Sequence, residues 1–421
     1  MTIIERFGQR VSDLSADRPA AARRLLTTGF RANGVKNAVA HKGISRSDRM
    51  LFQLVNDTMI GCLARPEQDV MVSLFTPCEL LLCQGLRPYS CEGMSSYLSG
   101  SMAEQGFLHR AEDEGLSPTL CSYHRTFLGA AQTGVLPRPR FILSTTLYCD
   151  GNLRTFPYLA EWYDVPHFVL DVPYDTDEAA VQYVAGELRR MAEFVTAQTG
   201  VPVDEGRLRE TVGRSARTLR DLDAAMTARR GRYLPSDLTS ELMRTAALHF
   251  LLGSQGARDY AAQYRREAES APPARGQQLL WIHTTPYWVP PLRALFDRTE
   301  RVQIAACDMS YEGIVEMDPD KPYEAMARRL VLSSFNGPTQ RRIDRALEAA
   351  RQVGATGAVW SCHWGCKHTL GGARLAKDAF EAAGLPTLLL DCDCCDRSYG
   401  GAGQAATRME AFLEMLEGRE R

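Results

Sequence analysis

Two short stretches near the C-terminal end of the chain concentrate the side chains best suited to chemistry. They are Val359-Trp-Ser-Cys-His-Trp-Gly-Cys-Lys-His-Thr and Leu388-Leu-Leu-Asp-Cys-Asp-Cys-Cys-Asp, and they hold five of the 12 cysteines, at positions 362, 366, 392, 394 and 395. Two further thiols sit beside turn residues: Cys121 in Leu-Cys-Ser-Tyr-His-Arg, and Cys149 ahead of Asp-Gly-Asn. Thiolates at strand and loop ends are metal donors. Cys362-x3-Cys366 together with Cys392-x-Cys394 could supply a thiolate zinc site. A compact ferredoxin run, C-x2-C-x2-C, is absent. On spacing alone, structural zinc, an iron–sulfur cluster and no metal remain three equal alternatives. His363, beside these cysteines, is a candidate proton donor; the alternative is a packed or supporting histidine. Glu79 follows a strand and is a candidate acid/base, although carboxylates also favour helix N-termini for reasons of dipole alone. Gly371-Gly372 could bring backbone amides near an anion. Arg408 and Glu410 read as a solvated helix face.

The elements that must position these residues follow from the pattern around them. Each C-terminal cysteine group follows an apolar, strand-like run. The intervening Gly371–Ala383 segment reads as a helix that stops at Gly384, with Pro386 beyond it. That is a β-α-β unit, whose two parallel strands end on the same edge of a sheet, where ligand sites gather. Both cysteine groups are therefore expected to open into one crevice suited to a metal or an iron–sulfur cluster. Further upstream, residues 1 to about 60 have helical spacing. Asp69-Val-Met-Val-Ser-Leu-Phe reads as a strand, followed by a helix over Cys78–Gln84 that ends at Gly85. Strands follow from Phe141 to Tyr148 and from His167 to Val172, then a helix over Glu178–Gln198. From Asp204 to about Ser270 the pattern is helical throughout, and Ala271-Pro-Pro-Ala-Arg-Gly reads as a linker. A second strand series begins at Gln278 and Val302, and a last helix runs from Gln404 to Glu417. Alternating strands and helices indicate α/β class with parallel sheets. The expected organisation is a helical N-terminal segment over 1–60, a first α/β domain over 61–203, a helical region over 204–270 and a second α/β domain over 271–421.

Composition narrows the function classes. A chain of 421 residues is long for one core. Its 45% hydrophobic and 24% charged residues are those of a soluble globular protein. A net charge of -2 gives no reason to expect nucleic acid or an anionic membrane as partner. Met-Thr-Ile-Ile-Glu-Arg lacks the basic and apolar regions of a signal peptide, and no apolar run approaches the ~18 residues of a membrane helix. A cytoplasmic protein is expected. In that compartment the cysteines are not expected to form a disulfide framework, and Cys62, Cys83 and Cys307 read as core residues.

Several segments taken together resemble the 2-hydroxyacyl-CoA dehydratase and benzoyl-CoA reductase family, in the manner of the 2-hydroxyglutaryl-CoA dehydratase D-component. They are Cys362-His-Trp-Gly-Cys-Lys-His-Thr, Leu390-Asp-Cys-Asp-Cys-Cys-Asp-Arg and Gly403-Gln-Ala-Ala-Thr-Arg-Met-Glu-Ala-Phe-Leu-Glu-Met-Leu, with Asp318-Pro-Asp-Lys-Pro-Tyr-Glu-Ala-Met-Ala, Trp281-Ile-His-Thr-Thr-Pro-Tyr, Cys149-Asp-Gly-Asn and Pro77-Cys-Glu-Leu-Leu-Leu-Cys-Gln-Gly-Leu-Arg-Pro. The resemblance implies two Rossmann-like parallel-sheet domains with a [4Fe-4S] cluster in the cleft between them, held by Cys121, Cys149 and Cys366. Three ligands leave one iron open, as at other catalytic metals. It also implies an ATP-hydrolysing iron–sulfur activator protein that injects one low-potential electron, so that the substrate thioester becomes a ketyl radical and expels its hydroxyl group. A homologous second subunit or a homodimer, and an acyl-CoA substrate, belong to the same expectation. This chain has no G-x4-G-K-[ST] pattern of its own. The cysteines at 392, 394 and 395 depart from the family's simplest pattern, which has glycine between its aspartates. One branch, the double-cubane cluster proteins, carries additional cysteines and reduces small molecules; Cys362 and Cys395 would suit its [8Fe-9S] cluster. A non-catalytic iron–sulfur or zinc-binding protein is the remaining alternative.

Overall fold

The computed structural model describes residues 1–39, 43–399 and 401–419. Residues 40–42 of the segment expected over 1–60, and residues 400, 420 and 421 of the unit expected over 271–421, lie outside the described residues. The chain opens with three helices, Ile3–Asp17, Pro19–Val39 and Arg46–Ala64. The first begins at a reciprocal cap between Thr2 and Glu5, and the third at Ser45, whose hydroxyl accepts from the amide of Asp48.

Two four-stranded sheets follow. The first contains β1 (Asp69–Val72), β2 (Arg87–Ser90), β3 (Ile142–Thr145) and β4 (His167–Leu170), in the order β2-β1-β3-β4. The second contains β5 (Gln277–Ile282), β6 (Val302–Cys307), β7 (Gly357–His363) and β8 (Thr387–Cys392), in the order β6-β5-β7-β8. All pairings are parallel. The expected α/β class with two parallel sheets is therefore observed. In each sheet the second strand lies outside the first, and the third and fourth extend the other way. The order reverses between β1 and β3 and between β5 and β7, and such a switch opens a crevice at the carboxyl ends.

Burial explains why these runs are strands. β1, β3, β5, β6 and β7 are buried at every position, as parallel strands covered on both faces must be. In the second sheet the faces alternate residue by residue. Leu279, Trp281 and Val359 pack under Met409, Phe412 and Leu413 of the last helix, Ala402–Arg419. Leu280, Ile282, Ala358 and Trp360 face Ile343, Ala346 and Phe380 on the other side. Each such fully buried large apolar side chain contributes about 1.5–3 kcal/mol.

Three local features differ from the sequence expectation. The strands expected over 69–75 and 141–148 end early, at Val72 and Thr145, which leaves Leu74, Phe75 and Tyr148 free to line the crevice. Strand β2 was not legible: Arg-Pro-Tyr-Ser is short and contains a proline, tolerated because β2 is an edge. The Pro-rich 271–276 segment is fastened rather than free. Tyr233 donates to the carbonyl of Pro272 at 2.8 Å, and Ala274 to that of Gly231 at 2.9 Å.

Between the sheets in sequence run the helices Glu205–Ala228, Leu238–Leu248 and Gln255–Ser270. Helix Pro322–Leu332, although late in the chain, packs beside Glu178–Thr199 in the core of the first sheet. No helix among the described residues is long and apolar enough to cross a membrane.

Candidate functional site

Cys121, Cys149 and Cys366 line one cavity of about 540 Å3 where the carboxyl edges of the two sheets meet. Cys121 occupies the N-cap position of the buried helix Ser122–Gln132 without a capping hydrogen bond to its sulfur, and the nearby Tyr123 and His124 amides favour its thiolate. Cys149 lies four residues past β3, just ahead of helix Asn152–Tyr163, whose Asn152 amide reaches it. Cys366 follows β7 across the turn Trp364-Gly365. Gly365 has φ of +80°, and a Cβ on it would stand 2.7 Å from the backbone nitrogen of Cys121. Only glycine lets these two loops come so close.

Each thiol has a histidine partner. Cys121 Sγ is 3.2 Å from His363 Nε2, Cys149 Sγ 3.4 Å from His124 Nε2, and Cys366 Sγ 3.5 Å from His283 Nε2. His283 stacks on His363 with ring centres 5.7 Å apart. Burial holds His124 down to about 4 and pushes His283 well below the usual histidine range. Burial also works against a charge on His363, but Asp393 and the neighbouring thiols push it up to about 9. The amide of Cys394 opposes that protonation, because it donates to Nδ1 at 3.0 Å and an imidazolium has no acceptor nitrogen. The hydrogen-bond geometry therefore favours a neutral ring with Nε2–H directed at Cys121 Sγ. Of the two sequence alternatives for His363, proton donor or supporting histidine, this geometry accords with the supporting one.

Strain and buried charge hold the loops. Tyr148 and His283 both adopt positive φ, +73° and +75°, a cost of order 1–3 kcal/mol each that the surroundings must offset. The Tyr148 hydroxyl bonds Ser333 Oγ, which in turn donates to Glu312 at 2.8 Å. The His283 amide donates to Asp308 at 2.6 Å, and Arg342 clamps Asp308 from the other side at 2.6 and 2.9 Å. Arg342 also reaches Thr369, whose hydroxyl lies 3.5 Å from Cys366 Sγ. One buried guanidinium therefore sets two of the loops.

Burial, then repulsion from Cys366, raises the pKa values of Cys121 and Cys149 above the ordinary thiol range. Among the described residues no three or more His, Cys, Asp or Glu side chains gather closely enough to hold one metal ion. A closed mononuclear zinc site does not fit this donor set. Three thiols around a cavity, two of them supported by helix amides, suit a larger group bound through several metal atoms.

The other sequence candidates lie elsewhere. Cys362 occupies the alternate face of β7 from His363, packs with Ala373, Ala376 and Phe380, and is pushed up to about 12 by burial. Cys395 sits between two helices of the first half, 3.4 Å from Thr126 Oγ1 and 3.7 Å from the carbonyl of Ser95. Neither lines the cavity. Cys392 and Cys394 are likewise buried, against Ser361 and the carbonyl of Thr284. Glu79 turns away into the helical region, where it accepts from Ser215 Oγ at 2.9 Å. Gly372 serves packing, since a Cβ there would stand 2.5 Å from Thr339.

Sequence reasoning missed His124, His283 and Glu92. The first two were in view, inside the segments around Cys121 and Trp281, but nothing in their spacing pairs them with sulfurs from other elements. Glu92, in helix Cys91–Gly100, lines the cavity and accepts from Ser90 Oγ at 2.8 Å. Burial raises its carboxyl pKa.

Residues 73–416 match the family model described as 2-hydroxyglutaryl-CoA dehydratase, D-component. The chain is 23% identical over 363 residues to the (R)-phenyllactyl-CoA dehydratase alpha subunit of Clostridium sporogenes, covering 81% of this chain and 87% of that protein. It is 22% identical over 393 residues to the lactoyl-CoA dehydratase subunit alpha of Anaerotignum propionicum, covering 84% and 92%.

Proposed function

Because the chain belongs to the 2-hydroxyglutaryl-CoA dehydratase D-component family, we propose that it is the iron–sulfur subunit of an enzyme that removes water from a 2-hydroxyacyl-CoA. The observation that carries the proposal is the meeting of Cys121, Cys149 and Cys366 on one cavity at the switch points of two parallel sheets. These three thiolates would hold a [4Fe-4S] cluster. When bound, it supplies low-potential one-electron chemistry and one iron without a protein ligand. The double-cubane alternative has less support, because Cys362 and Cys395 face away from the cavity.

The chain's own side chains have definable tasks. The amides of Tyr123, His124 and Asn152 offset charge on two of the sulfurs, and His363 Nε2–H does so for Cys121. Arg342 and Asp308 position the His283 and Cys366 loops. Dehydration needs one proton delivered to the leaving hydroxyl and one taken from the β-carbon. Glu92 can do both in turn: burial raises its carboxyl pKa and so eases protonation, and the group can give that proton up and recover another. The net proton and electron balance is zero, so the electron is catalytic rather than consumed.

An ATP-dependent iron–sulfur activator in a separate chain would supply that electron. Both relatives are named as alpha subunits, which supports a second subunit, either a homologue or another copy of this chain. The test is an anaerobic assay of a 2-hydroxyacyl-CoA with activator, ATP and candidate second subunit. Dehydration that requires ATP is expected. Sustained turnover by the isolated chain with a mild reductant and no ATP would contradict the proposal.

A further inference from the structure

Away from the thiols the cavity changes character. Val55 reaches it from helix Arg46–Ala64, Tyr97 from helix Cys91–Gly100, and Met243 and Ala246 from helix Leu238–Leu248, with Phe250 just beyond. Phe75, Tyr148 and Phe335 also line the cavity and meet edge to face, with ring centres 4.1 Å apart for Phe75–Tyr148 and 5.0 Å for Tyr148–Phe335. Apart from histidines, Lys367 is the one cationic side chain among the described lining residues. It is exposed beside Cys366 and not in this apolar arm. The carboxylates among those residues are Glu92 and the exposed Asp150.

We infer that the acyl group taken by this chain is a monocarboxylic 2-hydroxyacyl thioester with a bulky apolar side chain, of the size of an aromatic ring, and not a short or dicarboxylic one. The inference rests on the dehydratase reading and specifies its substrate. A cavity of about 540 Å3 falls within the ~300–1,000 Å3 of ordinary small-molecule sites. A three-carbon acyl group would leave water against Val55, Met243 and Phe250, among which the Thr245 hydroxyl is a single polar partner, fewer than the two to four a buried water needs. An aromatic ring displaces that water and meets rings already arranged for edge-to-face contact. A distal carboxylate fares worst, because it would be buried without a cation and beside Glu92. The name of the matching family would suggest a dicarboxylic substrate; the lining of this cavity argues against one.

Three CoA thioesters that differ only in the acyl group test this by equilibrium binding to the full, anaerobically purified chain: 2-hydroxy-3-phenylpropanoyl-CoA, 2-hydroxypropanoyl-CoA and 2-hydroxypentanedioyl-CoA. The phenyl compound should bind about tenfold or more tightly than the three-carbon one, and the diacid most weakly. Equal affinities, or tightest binding of the diacid, would overturn the acyl assignment and leave the dehydratase reading standing. Failure of all three to bind would overturn both. Ala246→Phe should collapse the phenyl preference, and Ala246→Leu should reduce it. An undiminished preference in a folded variant would overturn the placement of the ring in this arm.

Discussion

Burial pushes the carboxyl pKa values of half-buried Glu92 and buried Glu312 the same way, yet with different consequences. Glu92 lines the cavity, so its proton can reach a substrate. Glu92→Gln should retain the cluster absorbance but lose about a hundredfold or more in turnover, the usual scale for a positioned acid/base. Undiminished turnover would remove Glu92 from the proposed chemistry. Glu312 lies behind Tyr148, bonded to Ser333, and burial pushes it up to about 7. Its folded pKa is above the unfolded value, so the folded state holds the proton longer. Stability should therefore fall as pH rises from about 4.5 through about 7, by about 3 kcal/mol at most. Glu312→Gln should flatten that part of a denaturation-against-pH curve; an unchanged slope would show that another group titrates there. The residue-level site was partly legible in the sequence. Cys121, Cys149 and Cys366 came from the family resemblance and share the cavity, but spacing alone did not separate them from Cys362 and Cys395. The difference is one of strand parity: Cys362 and His363 are neighbours in β7 and face opposite ways. Glu79 lies outside the cavity for a related reason, since a carboxylate after a strand can turn towards either the crevice or the helices.

At the scale of elements, the loops after strands do the positioning and glycine sets their approach. Gly365 has φ of +80° and lies under the Cys121 backbone, whereas Gly200, with φ of +74°, has nothing within 4 Å of its Cβ direction. Gly365→Ala should thus cost more stability than the ~1 kcal/mol expected of backbone strain alone, and should also lower bound iron by separating Cys121 from Cys366. Gly200→Ala should show the strain cost and keep its iron. Equal iron in the two variants, measured beside their Tm values, would refute the role of close approach. The helices and the central strands were readable because their apolar runs are long. The short pieces were not: β2 and the early ends of β1 and β3 depend on what packs above them. The last helix was readable from Met409, Phe412, Leu413 and Leu416, which are buried on one face.

Across the whole molecule the two sheets share one strand order, and their carboxyl edges face a common cavity. A seam from the C-terminal half holds them together. Asp393 accepts from Ser122 Oγ at 2.6 Å, Ser99 donates to the carbonyl of Cys395 at 2.7 Å, and Arg397 grips Glu104 at 2.7 and 2.9 Å. The cysteine-rich run 392–395 therefore reads as a buried strap between the halves. The sequence could not show this, because the partners of Cys395 lie about 270 and 300 residues away. Anaerobic iron and sulfide analysis of the wild type beside Cys121→Ser, Cys149→Ser, Cys366→Ser, Cys362→Ser and Cys395→Ser tests the account most directly. About four irons per chain, lost in the first three variants and kept in the last two, is the predicted result. Close to eight irons with loss on changing Cys362 or Cys395, or iron that survives Cys366→Ser, would contradict it.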